Sequence, residues 1–276
     1  MRWNGWQRAL RRREMNAYAS MVRRSMARIT RSLEALKDLN MGGTAVGTGL
    51  NAEPEYIKLF PYTLSEITGF RFETAPNLID ATNNTDCYAE VSSALKVTAL
   101  SLIKMANDIR LMASGPRCGL NEIKLEARQP GSSIMPGKVA EVLDQTCYQV
   151  IGNDLAISMA VENGQLELNV MEPVIAFNIF NSFRFLTNAV NTFNEKLLKT
   201  MKANREQCQY WVDHSVGVIT ALLPHIGYEK CAATAREAYT TGEPVREIIL
   251  KKQLVTKEAM TRILSPYEIT HPGIAG

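Results

Sequence analysis

Apolar residues recur at steps of three and four along most of the chain, the spacing that places side chains on one face of an α-helix. The longest such pattern runs from about Asn83 to Ser114 and is followed by Gly115-Pro116, residues that commonly end helices. A helix of roughly 30 residues spans about 45 Å, a length typical of helical bundles. Four more long helices are predicted at residues 15–39, 139–161, 173–202 and 205–222.

After Pro224 the hydrophobic pattern changes into short helical segments separated by turn residues, predicted at 229–239, 245–252 and 257–264. We therefore predict an all-α protein with a long-helix bundle and a small helical C-terminal domain. The predicted divisions are a basic leader at residues 1–15, the central bundle domain at 16–223 and the small domain at 224–276. No apolar run approaches the roughly 20 residues that a membrane-spanning helix needs.

Composition and charge favour a cytoplasmic protein without a nucleic-acid partner. The net charge is +3, but five arginines lie within the first thirteen residues, so the rest of the chain is slightly acidic. The Arg-rich start resembles an amphipathic targeting segment, although it lacks the continuous apolar stretch of a secretion signal. Five scattered cysteines without a Cys-x-x-Cys pair argue against both a disulfide framework and a zinc site.

Two glycine-rich strings imitate nucleotide-binding motifs without meeting their structural requirements. Residues 47–52 fit a loose G-x-G-x-x-A pattern, but a dinucleotide site needs a preceding strand and this segment follows a predicted helix. Residues 131–138 resemble a phosphate loop, yet the glycine spacing is one residue too long and Val139 replaces the hydroxyl residue that would hold magnesium. We reject both motifs.

The segment 131–138 nevertheless presents two adjacent hydroxyls, Ser132 and Ser133, together with the cation of Lys138. A loop that combines hydroxyls, flexible backbone N–H groups and a cation suits an anionic substrate. From composition alone, a solvent-facing turn with a solvated lysine is the more common explanation of such a string.

The string GSSIMPGK at 131–138 resembles the signature loop of the aspartase/fumarase superfamily. Three further strings are similar to the same family: GGTAVGTGLN at 42–51, NDIRLMASGPR at 107–117 and GQLELNVMEPV at 164–174. Other details resemble aspartases more than fumarases, namely EARQP at 126–130, MEP at 171–173 and the tail from Ser265 to Gly273. The resemblance extends over essentially residues 16–276.

The resemblance implies an ammonia-lyase that converts L-aspartate to fumarate and ammonia by removing a C3 proton to form an enediolate. It implies that Ser132 is the general base, that Ser133 and Lys138 bind substrate, and that Glu141 has a supporting role. It further implies no organic cofactor, no metal ligands and a homotetramer with active sites shared between subunits. The charge distribution and the lack of a long apolar run predict neither a nucleic-acid nor a membrane partner. Activation by a divalent cation stays open.

Two departures from the family pattern bear on activity. The family continues from the lysine as Val-Asn-Pro and soon reaches a glutamate, whereas here Lys138-Val139 runs into Ala140-Glu141, about four residues shorter. The family's upstream Ser-Ser-x-Asp-x-Pro-Thr motif and Thr-His pair do not occur in this sequence. The chain is therefore expected to resemble an N-terminally truncated enzyme, and three alternatives remain: an aspartate ammonia-lyase, a fumarate hydratase, and a non-catalytic fragment or partner subunit in mixed oligomers.

Overall fold

The computed structural model describes residues 5–128, 137–265 and 267–276, with side chains from Arg13 onward. The helices are α1 Gly5–Ser32, α2 Pro54–Thr68, α3 Leu78–Asn83, α4 Asp86–Met112, α5 Lys138–Glu162, α6 Glu172–Phe193, α7 Arg205–His214, α8 Leu223–Ile226, α9 Tyr228–Thr241, α10 Val245–Lys251 and α11 Lys257–Ile263. Four two-residue strands accompany them: β1 Asp38–Leu39, β2 Glu73–Thr74, β3 Ile123–Lys124 and β4 Lys202–Ala203. The predicted all-α class is confirmed.

Among the described residues, the strands form two separate two-stranded pairs that connect loops. Strand β1 pairs in parallel with β2, and β3 pairs antiparallel with β4. Short 3₁₀ helices cover residues 33–36, 216–222 and 268–270, and a π-helical turn covers 194–198. The sequence pattern did not predict these strands, because two-residue pairings leave no period-two signal.

Three predicted helices end earlier than expected. The helix predicted over 173–202 ends at Phe193, and a π-helical turn follows at 194–198. The helix predicted over 15–39 ends at Ser32, whose hydroxyl donates to the carbonyl of Ile29, and a 3₁₀ turn and β1 follow. The helix predicted over 205–222 breaks after His214, where Ser215 adopts an extended backbone and its hydroxyl accepts from the N–H of Gly217. Serine competes with the helical backbone for hydrogen bonds, which the apolar spacing alone does not register.

The chain divides into two compact units, one made of the described parts of residues 20–110 and 126–200. In this unit α5 and α6 pack along each other, and an apolar cluster of Ile157, Ala160, Ile175 and Ile179 lies between them, with Tyr88 of α4 against it. Burying an isoleucine side chain stabilises a fold by about 1.5–3 kcal/mol. The predicted bundle packing of the long helices rests on contacts of this kind.

Buried polar side chains set the alignment of these helices. Asp154 of α5 accepts hydrogen bonds from Ser92 at 2.8 Å and from Lys96 at 2.6 Å, both on α4. Its neighbour Asn153 donates to Ser182 of α6 at 3.0 Å. Because a buried carboxylate or amide is costly without partners, these hydrogen bonds favour the observed alignment of the three helices.

The second unit comprises the described parts of residues 1–19, 111–125 and 201–276. Its core is built from helices α8 to α11 and the 3₁₀ segment 216–222, with Leu222, Ile248, Ile249, Met260 and Ile263 almost fully buried. The predicted boundary at residue 223 and the basic leader at 1–15 stay predictions. In the described part of the chain, every helix is too short or too polar to cross a bilayer.

Candidate functional site

Two of the four predicted site residues can be placed. Ser132 and Ser133 lie outside the described residues, so their assigned roles stay predictions. Lys138 is the first residue of α5, and Glu141 lies in the first turn of the same helix. Gly137 precedes Lys138 at the N-cap position of α5.

Lys138 occupies an electrostatically unfavourable place in its helix. The N-terminus of a helix carries partial positive charge, which disfavours a cation there and favours an anion. Glu141 offsets this disadvantage, since its Oε2 lies 3.0 Å from Lys138 Nζ. The Lys138 side chain is 34% exposed, so it pairs with Glu141 and is still partly open to solvent.

Glu141 is shared between two cations from different helices. Its Oε1 lies 3.4 Å from Arg110 Nη2, near the end of α4. Arg110 Nη1 lies 3.3 Å from Asp144 Oδ2, one turn further along α5. We call Arg110, Lys138, Glu141 and Asp144 the charge cluster; its two cations and two carboxylates balance when all four are ionised.

Asp144 is the most buried member of the charge cluster. Only 3% of the residue is exposed, and within the described part of the chain its Oδ1 has no hydrogen-bond partner. Burial raises the pKa of this carboxyl above 3.8, although the Arg110 charge opposes the rise. One turn later, burial raises the pKa of the Cys147 thiol to about 12, with a smaller contribution from the Asp144 charge.

The sequence predicted roles for Lys138 and Glu141 but assigned none to Arg110 and Asp144, which the structure pairs with them in the charge cluster. A signal existed for Asp144, because residues 138, 141 and 144 follow at steps of three and therefore share one side of a helix. Arg110 lies in the string NDIRLMASGPR, which carried the resemblance to the family but was assigned no role. Its position opposite α5 depends on the packing of two helices, which the string does not encode.

The three histidines, His214, His225 and His271, lie in other parts of the chain. His214 and His271 each stack on a tyrosine one turn earlier and bond to its carbonyl through Nδ1, at 2.9 Å and 2.8 Å. His225 Nε2 lies 2.6 Å from the carbonyl of Ala275. Among the residues that the structure describes, no three His, Cys, Asp or Glu side chains converge as metal ligands.

Comparison with known proteins identifies the class. The family model described as "Lyase" matches residues 12–152, and the model described as "Fumarase C C-terminus" matches residues 218–271. The helical fold is shared with a class II fumarase from Schistosoma mansoni (TM-score 0.86, 34% identity) and with a fumarate lyase:delta crystallin from Brucella melitensis bound to cobalt (TM-score 0.89, 40% identity). Each comparison covers 94% of this chain, and 58% and 57% of those chains respectively.

Curated relatives give the same answer from sequence. An aspartate ammonia-lyase of Bacillus sp is 55% identical over 95% of this chain, and that of Bacillus subtilis (strain 168) is 52% identical over 95%. The chain therefore belongs to the lyase family of the aspartase/fumarase superfamily, as the signature strings predicted. It spans 57% and 56% of the length of these two relatives.

Proposed function

We propose that this chain carries the signature-loop part of an aspartate ammonia-lyase, which converts L-aspartate to fumarate and ammonia. The observation that supports it most directly is Lys138, placed at the start of α5 with its ammonium 3.0 Å from Glu141 and partly open to solvent. An ammonium in that place can exchange the Glu141 carboxylate for a carboxylate of the substrate. The relatives at 55% and 52% identity are themselves aspartate ammonia-lyases.

In the proposed mechanism Ser132, as its alkoxide, takes the C3 proton of L-aspartate. The electron pair released from the C–H bond moves into the adjacent carboxyl group and forms an enediolate with two negative charges. That pair then forms the C2–C3 double bond as the C2–N bond breaks and ammonia leaves. Lys138 stabilises the doubly charged carboxyl electrostatically, and Ser133 binds substrate.

The primary test measures fumarate formed from L-aspartate by absorbance, using purified chain whose oligomeric mass is known. The S132A variant should lose turnover completely, and K138A should lose most of it, by about 10²- to 10³-fold. K138R keeps the charge in a different shape and should retain more activity than K138A. Equal turnover in S132A and the unsubstituted chain would remove Ser132 from the mechanism.

A fumarate hydratase is the second candidate, because the C-terminal family model is that of fumarase C and a class II fumarase shares the fold. The two activities differ in what adds to fumarate. Incubation with fumarate plus ammonia should yield L-aspartate, whereas incubation with fumarate alone should yield no malate. Malate formation without aspartate formation would favour the hydratase.

We also propose that the working enzyme is a homotetramer whose active sites draw on several subunits. An apolar stripe at helical spacing supports this: Tyr148, Leu155 and Met159 of α5 are 55–63% exposed, and Phe177 and Phe180 of α6 are 66% and 72% exposed. Exposed apolar side chains of this size commonly mark protein interfaces. The F180E variant should lower the mass measured by sedimentation, while an unchanged mass would place the interface elsewhere.

Two further measurements define the active form. Turnover by the chain alone is to be compared with turnover after co-expression with a full-length aspartate ammonia-lyase. Co-purification of the chain only with that relative would indicate a partner subunit in mixed oligomers.

We propose that no organic cofactor takes part. Dialysis against EDTA, followed by addition of Mg²⁺, separates a chain that a divalent cation activates from one that works without it.

A further inference from the structure

The shared position of Glu141 suggests a role for Arg110 that lies outside the reaction itself. Glu141 Oε2 faces Lys138 at 3.0 Å while Oε1 faces Arg110 at 3.4 Å, so the same carboxylate holds both cations. If Lys138 moves to a substrate carboxylate, Glu141 keeps a cationic partner in Arg110. Without Arg110, Glu141 would lose its remaining charge-cluster cation whenever Lys138 moved away.

We infer that Arg110 is a positioning residue which, through Glu141, sets how firmly Lys138 is held at the start of α5. This inference rests on the proposed function only in assigning Lys138 to a substrate carboxylate. The Arg110 side chain also passes close to Gly137, since its Cγ would lie 3.6 Å from a Cβ added there. Arg110 therefore lies beside the residue that precedes α5, while its guanidinium contacts Glu141 and Asp144.

Asp144 has the opposite influence in this arrangement. It competes with Glu141 for the same guanidinium, because Arg110 Nη1 lies 3.3 Å from Asp144 Oδ2. Neutralising Asp144 would leave Arg110 more fully to Glu141 and loosen the hold of Glu141 on Lys138. Removing the Arg110 charge would leave Lys138 as the sole charge-cluster cation for Glu141 and tighten that hold.

The test is the rate at which Lys138 is acylated by an N-hydroxysuccinimide ester, measured by mass spectrometry on the full chain without substrate. Acylation needs a free, unprotonated amine, so a tighter ion pair slows it. R110Q should slow Lys138 acylation by about two- to fourfold and D144N should accelerate it about twofold, the range expected for partly exposed ion pairs. R110K keeps the charge and should restore most of the original rate.

Exposed Lys58, in the same unit, serves as the internal reference, since its acylation should not change in a variant that folds normally. A double-mutant cycle with E141Q isolates the route of the effect. If Arg110 acts through Glu141, R110Q should have little further effect in the E141Q background. An unchanged Lys138 rate in R110Q, or an equal R110Q effect with and without Glu141, would overturn the inference.

A separate arm keeps this result distinct from the proposed function. Addition of fumarate should protect Lys138 from acylation in the unsubstituted chain if Lys138 binds a substrate carboxylate. Failure of protection, combined with the expected R110Q and D144N rates, would refute the substrate role and leave the Arg110 inference standing. Protection of Lys138 by fumarate, combined with unchanged Lys138 acylation rates in R110Q and D144N, would support the substrate role and overturn the Arg110 inference.

Discussion

Asp144 of α5 faces Arg110 of α4 across 3.3 Å, and although this pairing favours the ionised carboxylate, the pKa of Asp144 is raised. Burial is the larger influence on this pKa, and one carboxylate oxygen has no hydrogen-bond partner within the described residues. The guanidinium is partly exposed, so solvent weakens its attraction. The ion pair therefore joins two helices, and the free-energy cost of burying the Asp144 charge depends on pH.

Stability should respond to pH through Asp144. Because its pKa is raised above 3.8 in the folded chain, the folded chain binds this proton more tightly than the unfolded chain does. Its contribution to stability is full below pH 3.8 and is lost as pH rises through the raised pKa. The free energy of unfolding of the unsubstituted chain, relative to D144N, should fall in urea titrations as pH rises above 3.8 and through the raised pKa of Asp144. A constant difference would show that Asp144 titrates alike in both states.

The cysteines should differ sharply in reactivity. The thiol of Cys147 is buried and its pKa is raised to about 12, so almost none of it is thiolate near neutral pH. Cys118 is exposed. At about pH 8 a maleimide should label Cys118 at least about 10²-fold faster than Cys147, as peptide mass spectrometry would resolve. As a control, a maleimide should label both cysteines at equal rates only after denaturation in urea.

Two glycines with opposite surroundings provide a matched pair for stability. Gly47 has φ of +75°, and an added Cβ would lie 2.3 Å from the Cα of Ile79. G47A should therefore destabilise the fold by more than about 1 kcal/mol. Gly152 lies within α5 with open space where a Cβ would be, so G152A should stabilise the helix by about 0.5–1 kcal/mol. Chemical denaturation would compare them, and equal effects would contradict the geometry.

Asn169 connects three segments in its unit. It is 2% exposed, its amide donates to Thr85 Oγ1 and the Ala160 carbonyl at 3.1 Å, and its Oδ1 accepts from the N–H of Met171 at 2.8 Å. N169A should lower the free energy of unfolding by about 2 kcal/mol or more, because buried groups lose their partners.

The matched control for N169A is N163A. Asn163 is exposed, and its amide donates to the Met159 carbonyl at 2.6 Å. Its replacement by alanine should change stability by less than about 0.5 kcal/mol. If N163A were as destabilising as N169A, burial of the hydrogen-bonded network would not explain the loss.

The periodic pattern of apolar residues predicted the long helices well where the signal is local. The helix predicted at 83–114 is α4 Asp86–Met112, and the one at 139–161 is α5 Lys138–Glu162. Helix α2, which runs from Pro54 through Pro61 to Thr68, was not among the predicted helices, because a proline inside a mixed apolar segment suggests a break. Helix ends set by serine hydrogen bonds, as at Ser32 and Ser215, were also missed.

The sequence by itself determined the all-α class, the family and the chemical character of the signature loop, because helical periodicity and a contiguous motif are both local properties. Only the tertiary structure decided that Arg110 meets Glu141 and Asp144, which lie 31 and 34 positions later in the chain. That meeting depends on how α4 and α5 pack, which buried contacts such as Ser92 with Asp154 fix. Packing of separate helices is a sum of many weak interactions, so no single stretch of sequence records it.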